Sequence, residues 1–169
     1  EKIRVGTELI KQLSTGFYPK SHMIFDELVS NSRDAGATMV SIKIYDDSVE
    51  ISDNGEGMSE DELVRFFYIS STHKANTTER YVRGIKRKII GRFGIGKLSM
   101  YQICKKFKIE SWKDGVISSS EFDFSKFEEN KYIDDFRLVV KSEQTERKDS
   151  GTRITMYELR SEKKIRPVQ

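Results

Sequence analysis

Apolar residues recur with helical spacing early in the chain and alternate with polar ones later. A short helix is expected near Thr7–Leu13 and a turn through Gly16–Pro19. A longer helix is expected from an N-cap at Ser21 to Ala35, stopped by Gly36. Val40, Ile42 and Ile44 then alternate with Ser41 and Lys43, as a half-buried strand over Met39–Tyr45 requires. Asp46-Asp47-Ser48 is a turn, and Val49–Ser52 returns as the second strand of a hairpin. Ser59-Glu60-Asp61-Glu62 has the form of a capping box and opens a helix through Phe67. From Ser70 to Arg92 periodicity fails, which predicts a long structureless loop with Gly84 and Gly91 as hinges. A helix is expected from Gly96 to about Lys105. Strands are expected near Phe107–Trp112, Val116–Phe122, Phe136–Lys141 and Thr152–Tyr157, with Asp114-Gly115 as a hairpin turn and Gln144–Ser150 as a polar loop. Helices early and strands late predict an α+β fold: a two-layer sandwich with helices on one face of a mixed, mostly antiparallel sheet.

At 169 residues the chain is read as one domain, and 36% hydrophobic with 34% charged residues reads as soluble and globular. No apolar run approaches the about 20 residues of a membrane span, so no membrane partner is expected. A lone cysteine, Cys104, excludes an intrachain disulfide and a cysteine-cluster zinc site. With no leader pattern, it points to a reducing, intracellular location, cytoplasmic with the nucleus open. The chain opens at Glu1 and not Met, and is read as a piece of a longer protein. A net charge of +3 is too small to imply nucleic acid. Its distribution is uneven, however: Arg80, Arg83, Lys86, Arg87, Lys88, Arg92, Lys97, Lys105, Lys106 and Lys108 follow one another with no acid between them. Such a run is a solvated loop, a polyphosphate site or a nucleic-acid patch.

Three constellations could carry chemistry. Glu27, Asn31 and Asp34 stand at i, i+4 and i+7 and share one helix face. Alone this is an ordinary polar stripe, but small residues (Ala35, Gly36, Ala37) follow it and a strand leads from it to a second acidic motif. That motif, Asp53-Asn54-Gly55-Glu56-Gly57-Met58, is either a plain Asp-initiated turn or a pocket floor. In the second case a carboxylate accepts from an exocyclic amine, a flat ring lies on glycine backbone and Met58 gives a polarizable contact. The third, Gly91-Arg92-Phe93-Gly94-Ile95-Gly96-Lys97, is a glycine-rich turn feeding a helix, able to present backbone amides to an anion or to serve as a hinge. It lacks the Walker A spacing. Together these parts could hold a magnesium nucleotide, with Asn31 on the metal and Glu27 able to deprotonate a water.

Four segments carry a family resemblance. Glu27–Gly36, Asp53–Met58 and Ile90–Lys97 resemble the N box and the two glycine boxes of the GHKL ATPases, the superfamily of gyrase B, the ninety-kilodalton heat-shock chaperones, histidine kinases and MutL. Gly151-Thr152-Arg153-Ile154 resembles its late threonine-bearing strand. The first segment is closest to the MutL type, the third to the heat-shock type. The resemblance runs over Ser21–Glu158 and implies a Bergerat fold. It implies that Asn31 coordinates Mg2+, that Glu27 is the general base, and that Asp53 binds the adenine amino group of ATP directly and through a water shared with Thr152. Gly55, Gly57 and Met58 would line the base pocket, and Asp34 would support it. Gly94, Ile95, Gly96 and Lys97 would cradle the phosphates. Ser70–Arg92, extended to about residue 96, would be the ATP lid, in which Ser71 and Thr72 would touch the phosphates. Histidine kinases usually carry His or Asn where Glu27 stands, so the resemblance favours hydrolysis.

The chain also departs from the family pattern. Relatives complete the γ-phosphate site with a Lys or Arg from a following domain, and none follows within this sequence. Lys97, Lys74 or Arg92 could substitute; the preferred expectation is a downstream domain that supplies the cation, weak turnover without it, and an ATP-dependent homodimer in the full protein. The rival readings are an ATP sensor that does not hydrolyse, and a nucleic-acid-binding module that uses the basic lid. His73 is read as lid surface, His22 as helix-start surface, Cys104 as buried packing on a helical stripe with Leu98 and Tyr101, and Trp112, Phe122, Phe124 and Phe127 as core or interface aromatics.

Overall fold

The computed structural model describes residues 6–9, 12, 22–67, 79–88 and 100–160. Among the described residues, three helices with defined bounds, α1 (His22–Asp34), α2 (Glu60–Phe66) and α3 (Phe124–Glu128), accompany eight strands. The strands are β1 (Val40–Ile44), β2 (Ser48–Asp53), β3 (Glu79–Val82), β4 (Ile85–Lys88), β5 (Cys104–Lys113), β6 (Val116–Asp123), β7 (Val140–Gln144) and β8 (Gly151–Leu159). Six of them form one sheet in the order β1-β2-β8-β5-β6-β7, while β3 and β4 form a separate hairpin. Every pairing in the six-stranded sheet is antiparallel.

Register explains the layering. Ile42, Ile51, Ile154 and Ile109 stand abreast across four strands, and Ile44, Val49, Met156, Phe107 and Phe122 form the next such row across five. From β2 inward these rows enter one core with Ile24 and Leu28 of α1, Leu63 of α2, and Phe124 and Phe127 of α3. All three helices therefore cover the same face. The opposite face carries charges at the alternate positions, where Glu50 meets Lys43 and Arg153 (3.6 Å each) and Lys108 meets Glu110 (2.8 Å). Such solvated pairs contribute little individually; they mark which face is wet.

Several local expectations hold. Gly36, just past the end of α1, is left-handed (φ 76°). The capping box of α2 is formed in both directions between Ser59 and Glu62. Asp114 and Gly115, both at positive φ (50° and 74°), turn β5 into β6. Glu8, Leu9 and Gln12 are helical within the expected first helix, whose remaining positions beyond Gly6 and Thr7 lie outside the described residues.

Four expectations are corrected. The helix expected to reach Lys105 is replaced, in its described part, by a 3-10 turn over Met100–Gln102, and β5 already begins at Cys104. Pairing with β8 draws Cys104 opposite Leu159, so Cys104 is buried at a strand start and not on a helical stripe. The strand expected at Phe136–Lys141 lies at Val140–Gln144, because β6 offers partners only from Ser120 back to Val116 before Asp123 caps α3. Phe136 and Leu138 pack against the core without strand pairing. The expected structureless loop contains the β3–β4 hairpin, and Gly84 is part of its tight turn. Lastly, α3 has no counterpart in the pattern reading; the Asp123 side chain accepts from Ser125 and Lys126 amides, and Phe124 and Phe127 bury one face.

Candidate functional site

The third inward row of the sheet is polar. Val40, Asp53, Thr152, Ser111, Ser118 and Ser142 stand abreast across all six strands, on the same side as the isoleucine row. A hydroxyl row beside a hydrocarbon core is costly unless each group finds a partner. Ser111 is fully buried and does so three times: it accepts the Met58 amide (2.7 Å), donates to the Gly151 carbonyl (3.0 Å) and shares a hydrogen bond with Thr152 Oγ1 (3.0 Å). Ser118 bonds Ser142 (3.0 Å). Ser111 has one proton and two acceptors competing for it, so it governs whether the Thr152 hydroxyl points its proton inward or outward.

Helix α1 meets this row at Asp53. Ile24, Leu28 and Ser32 face the core at helical spacing, and Ser32 stands over the carboxylate at the end of β2. Its hydroxyl donates to Asp53 Oδ2 (2.8 Å), while the Gly55 amide donates to Asp53 Oδ1 (2.8 Å). Both oxygens thus have a partner among the described residues, and a carboxylate oxygen can accept more than one hydrogen bond. Glu27, Asn31 and Asp34 flank the core face of the same helix; Glu27 and Asn31 are half-buried and Asp34 is buried. The helix that carries the metal-capable amide is therefore pinned to the predicted base-binding carboxylate through the residue next to Asn31.

The turn after Asp53 is shaped by close backbone contact. Asn54 ties it to the chain leaving α1, accepting from the Thr38 and Met39 amides (2.9 Å each), and the Glu56 amide reaches the Ala35 carbonyl (2.9 Å). Gly57 has φ 67°, and a Cβ there would lie 2.2 Å from the Trp112 carbonyl oxygen. Its glycine is required by the protein's own backbone. Met58 follows, half-buried against the core.

The structure thus assembles Asp53, Gly55, Gly57, Met58 and Thr152 at one end of the sheet beneath α1. Ser71, Thr72, Gly94, Ile95, Gly96 and Lys97 lie outside the described residues, as do His73, Lys74 and Arg92. Two contributors escaped the sequence reading: Ser32 and Ser111. Ser32 and Ser111 had a signal, since each is a hydroxyl at a core-facing position, one helical turn after Leu28 and two residues after Ile109. Arg83, named above in the basic run, meets the Asn54 and Gly55 carbonyls through its guanidinium (2.9 and 3.0 Å), a contact that run did not point to.

A family model described as histidine kinase-, DNA gyrase B-, and HSP90-like ATPase matches residues 20–152. A putative type II restriction enzyme, HgiDII, of Herpetosiphon aurantiacus is 39% identical over 108 residues, covering 63% of this chain and 17% of that protein. A chaperone protein htpG of Bacteroides fragilis is 28% identical over 175 residues, covering 92% of this chain and 24% of the chaperone. The DNA mismatch repair protein MutL of Thermosipho africanus is 40% identical over 58 residues, covering 32% of this chain and 10% of MutL. The chain spans between 10% and 24% of the length of these three relatives.

Proposed function

Because this chain belongs to the histidine kinase-, DNA gyrase B-, and HSP90-like ATPases, we propose that it binds ATP with Mg2+ between α1 and the Asp53 turn and hydrolyses it. The observation that carries this reading is the Ser32–Asp53 hydrogen bond (2.8 Å), which couples the helix bearing Glu27 and Asn31 to the carboxylate suited to an adenine amine. The Asp53 carboxylate accepts from the exocyclic amine, and Thr152, oriented by Ser111, shares a water with it. Asp34 supports the pocket, Met58 contacts the base, and the Gly55–Gly57 backbone forms its rim.

No group of three or more His, Cys, Asp or Glu side chains able to hold a metal occurs among the described residues. Magnesium takes about one or two protein ligands and completes its shell with water and phosphate. Asn31 is the protein ligand in this proposal, and the ion, when bound, neutralises charge on the phosphates. Glu27, one turn earlier, takes a proton from the attacking water. The backbone amides of Gly94, Ile95 and Gly96, with Lys97, Ser71 and Thr72, cradle the phosphates, and the segment from about residue 70 to 96 closes as a lid.

We further propose that residues 1–169 form one ATP-binding domain of a longer protein, in which a following domain supplies a phosphate-binding Lys or Arg and ATP drives homodimerisation. The relatives carry restriction-enzyme, chaperone and mismatch-repair names, so the domain is read as a motor or switch attached to differing machinery. No helix of the described residues is long and apolar enough to cross a membrane.

The test is calorimetry with a non-hydrolysable ATP analogue and Mg2+, paired with phosphate release by the intact protein. Asp53→Ala should lose analogue binding, whereas Glu27→Ala should keep binding and lose turnover. Turnover that survives Glu27→Ala removes Glu27 from its role; analogue binding that survives Asp53→Ala removes the base site.

A further inference from the structure

The turn joining β3 to β4 places Arg83 at φ 49°, followed by Gly84 at φ 75°. Two consecutive left-handed residues make the tight hairpin turn for which Asn-Gly is the favoured pair, and an arginine there is disfavoured by its Cβ. Its contacts supply a reason for the choice. Arg83 Nη2 lies 2.9 Å from the Asn54 carbonyl, 3.0 Å from the Gly55 carbonyl and 3.0 Å from Ser150 Oγ. The Arg83 backbone amide meets Glu56 Oε1 at 3.3 Å. Beside it Val82, 1% exposed, occupies the space left by the missing side chain of Gly36, where a Cβ would stand 2.5 Å from Val82 Cγ1. The hairpin is therefore docked on the end of α1 and on the Asp53 turn at the same time.

One of these contacts has a specific consequence. The Asn54 carbonyl and the Gly55 amide belong to a single peptide unit. Arg83 holds its oxygen, and its N–H donates to Asp53 Oδ1 (2.8 Å). A cation and a carboxylate thus grip opposite ends of one planar group. A charge-assisted hydrogen bond to the oxygen polarises the N–H at the other end and strengthens its bond to the carboxylate.

We propose that Arg83 is a positioning residue for nucleobase recognition: acting through the Asn54–Gly55 peptide, it fixes the Asp53 carboxylate in its base-binding orientation and ties the basic segment to the base pocket. This rests on the reading that Asp53 accepts from the base. Arg83→Asn is the informative change, because Asn tolerates the left-handed turn while the guanidinium is removed. Calorimetry on the intact protein with Mg2+ should show ADP and a non-hydrolysable ATP analogue losing affinity by the same factor, about 10-fold, in line with loss of a supporting charge-assisted bond. The preference for ADP over GDP should shrink, and the melting temperature should not fall. Arg83→Lys, which keeps the charge but not the planar fork, should recover part of the affinity.

A larger loss for the ATP analogue than for ADP would assign Arg83 to the terminal phosphate and overturn the proposal. Unchanged ADP affinity would overturn it too, as would a loss matched by unfolding. Asp53→Ala measured alongside separates the two levels. If it abolishes ADP binding while Arg83→Asn does not weaken it, only the role of Arg83 fails; if it leaves ADP binding intact, the base site fails and this inference with it.

Discussion

Ser111→Ala is the change whose cost can be worked most directly from the structure. The hydroxyl is fully buried and makes three hydrogen bonds, to the Met58 amide, the Gly151 carbonyl and Thr152 Oγ1. Alanine fits the same space, so no packing is lost; what remains is a set of groups deprived of a partner. Each such group costs about 1–3 kcal/mol where water cannot reach it. Gly151 is buried, whereas Met58 and Thr152 are half-buried and recover part of the loss. The expected destabilisation is about 2–3 kcal/mol, which for a chain of this length lowers the melting temperature by about 4–12 °C. Urea denaturation of the wild type, Ser111→Ala, Thr152→Val and the double variant gives the cycle directly. The Ser111–Thr152 pair should show a coupling of about 0.5–1.5 kcal/mol. A single-variant cost below about 0.5 kcal/mol, or a coupling of zero, would refute the claim that this hydroxyl organises the polar end of the sheet.

Other consequences are equally open to measurement. Gly57→Ala combines a left-handed φ with a Cβ forced onto the Trp112 carbonyl; it should cost at least about 2 kcal/mol in denaturant unfolding and displace Met58, and a neutral result would mean that the turn is not held as described. Burial pushes the Cys104 thiol up to about 12, so the native protein at pH 8 should resist alkylation that proceeds once it is unfolded; rapid native labelling would contradict its place at the start of β5. Asp149 is held down to about 2 mainly by the hydrogen bond from Arg147. A carboxylate depressed on folding stabilises above its unfolded value of about 4, and that contribution is lost as pH falls through its folded value. For Glu62, burial raises the pKa but is outweighed by the Lys113 hydrogen bond and the capping-box bonds, so the net direction is down. Glu62→Gln should therefore flatten the acid limb of a stability–pH curve and leave it parallel to the wild type near neutrality.

How much of the site was legible follows from how each part is encoded. Asp53 at a strand end, Gly57 in the following turn and the Glu27–Asn31–Asp34 stripe are local patterns, in which spacing alone says which residues share a face or a turn. Ser32 and Ser111 were half legible, as hydroxyls at apolar positions, but a partner had to be known before they could be separated from incidental serines. Arg83 was legible as one of a basic run but not as a neighbour of the Asp53 turn, because its hydrogen bonds join residues 83, 54, 55 and 150 and no local pattern encodes such a meeting. The stretch around it reads as a loop for a related reason: Val82 docks against Gly36, a contact between distant residues that no local window contains.

Taken alone, the chain determined torsions and faces: the end of α1 at a left-handed glycine, the reciprocal cap of α2, the Asp114-Gly115 turn, and the apolar alternation that buries one side of β2, β5, β6 and β8 more than the other. Those outcomes depend on interactions within a few residues, and so survive being read one window at a time. Tertiary structure decided the rest. It inserted β8 between β2 and β5, bringing Thr152 opposite both Asp53 and Ser111. It started β5 at Cys104 where a helix was expected, and set α1 so that Ser32 reaches Asp53. Strand order and helix placement are chosen by which arrangement buries the isoleucine and phenylalanine rows together while satisfying the polar row beside them. That choice is a property of the whole core, and no segment contains it.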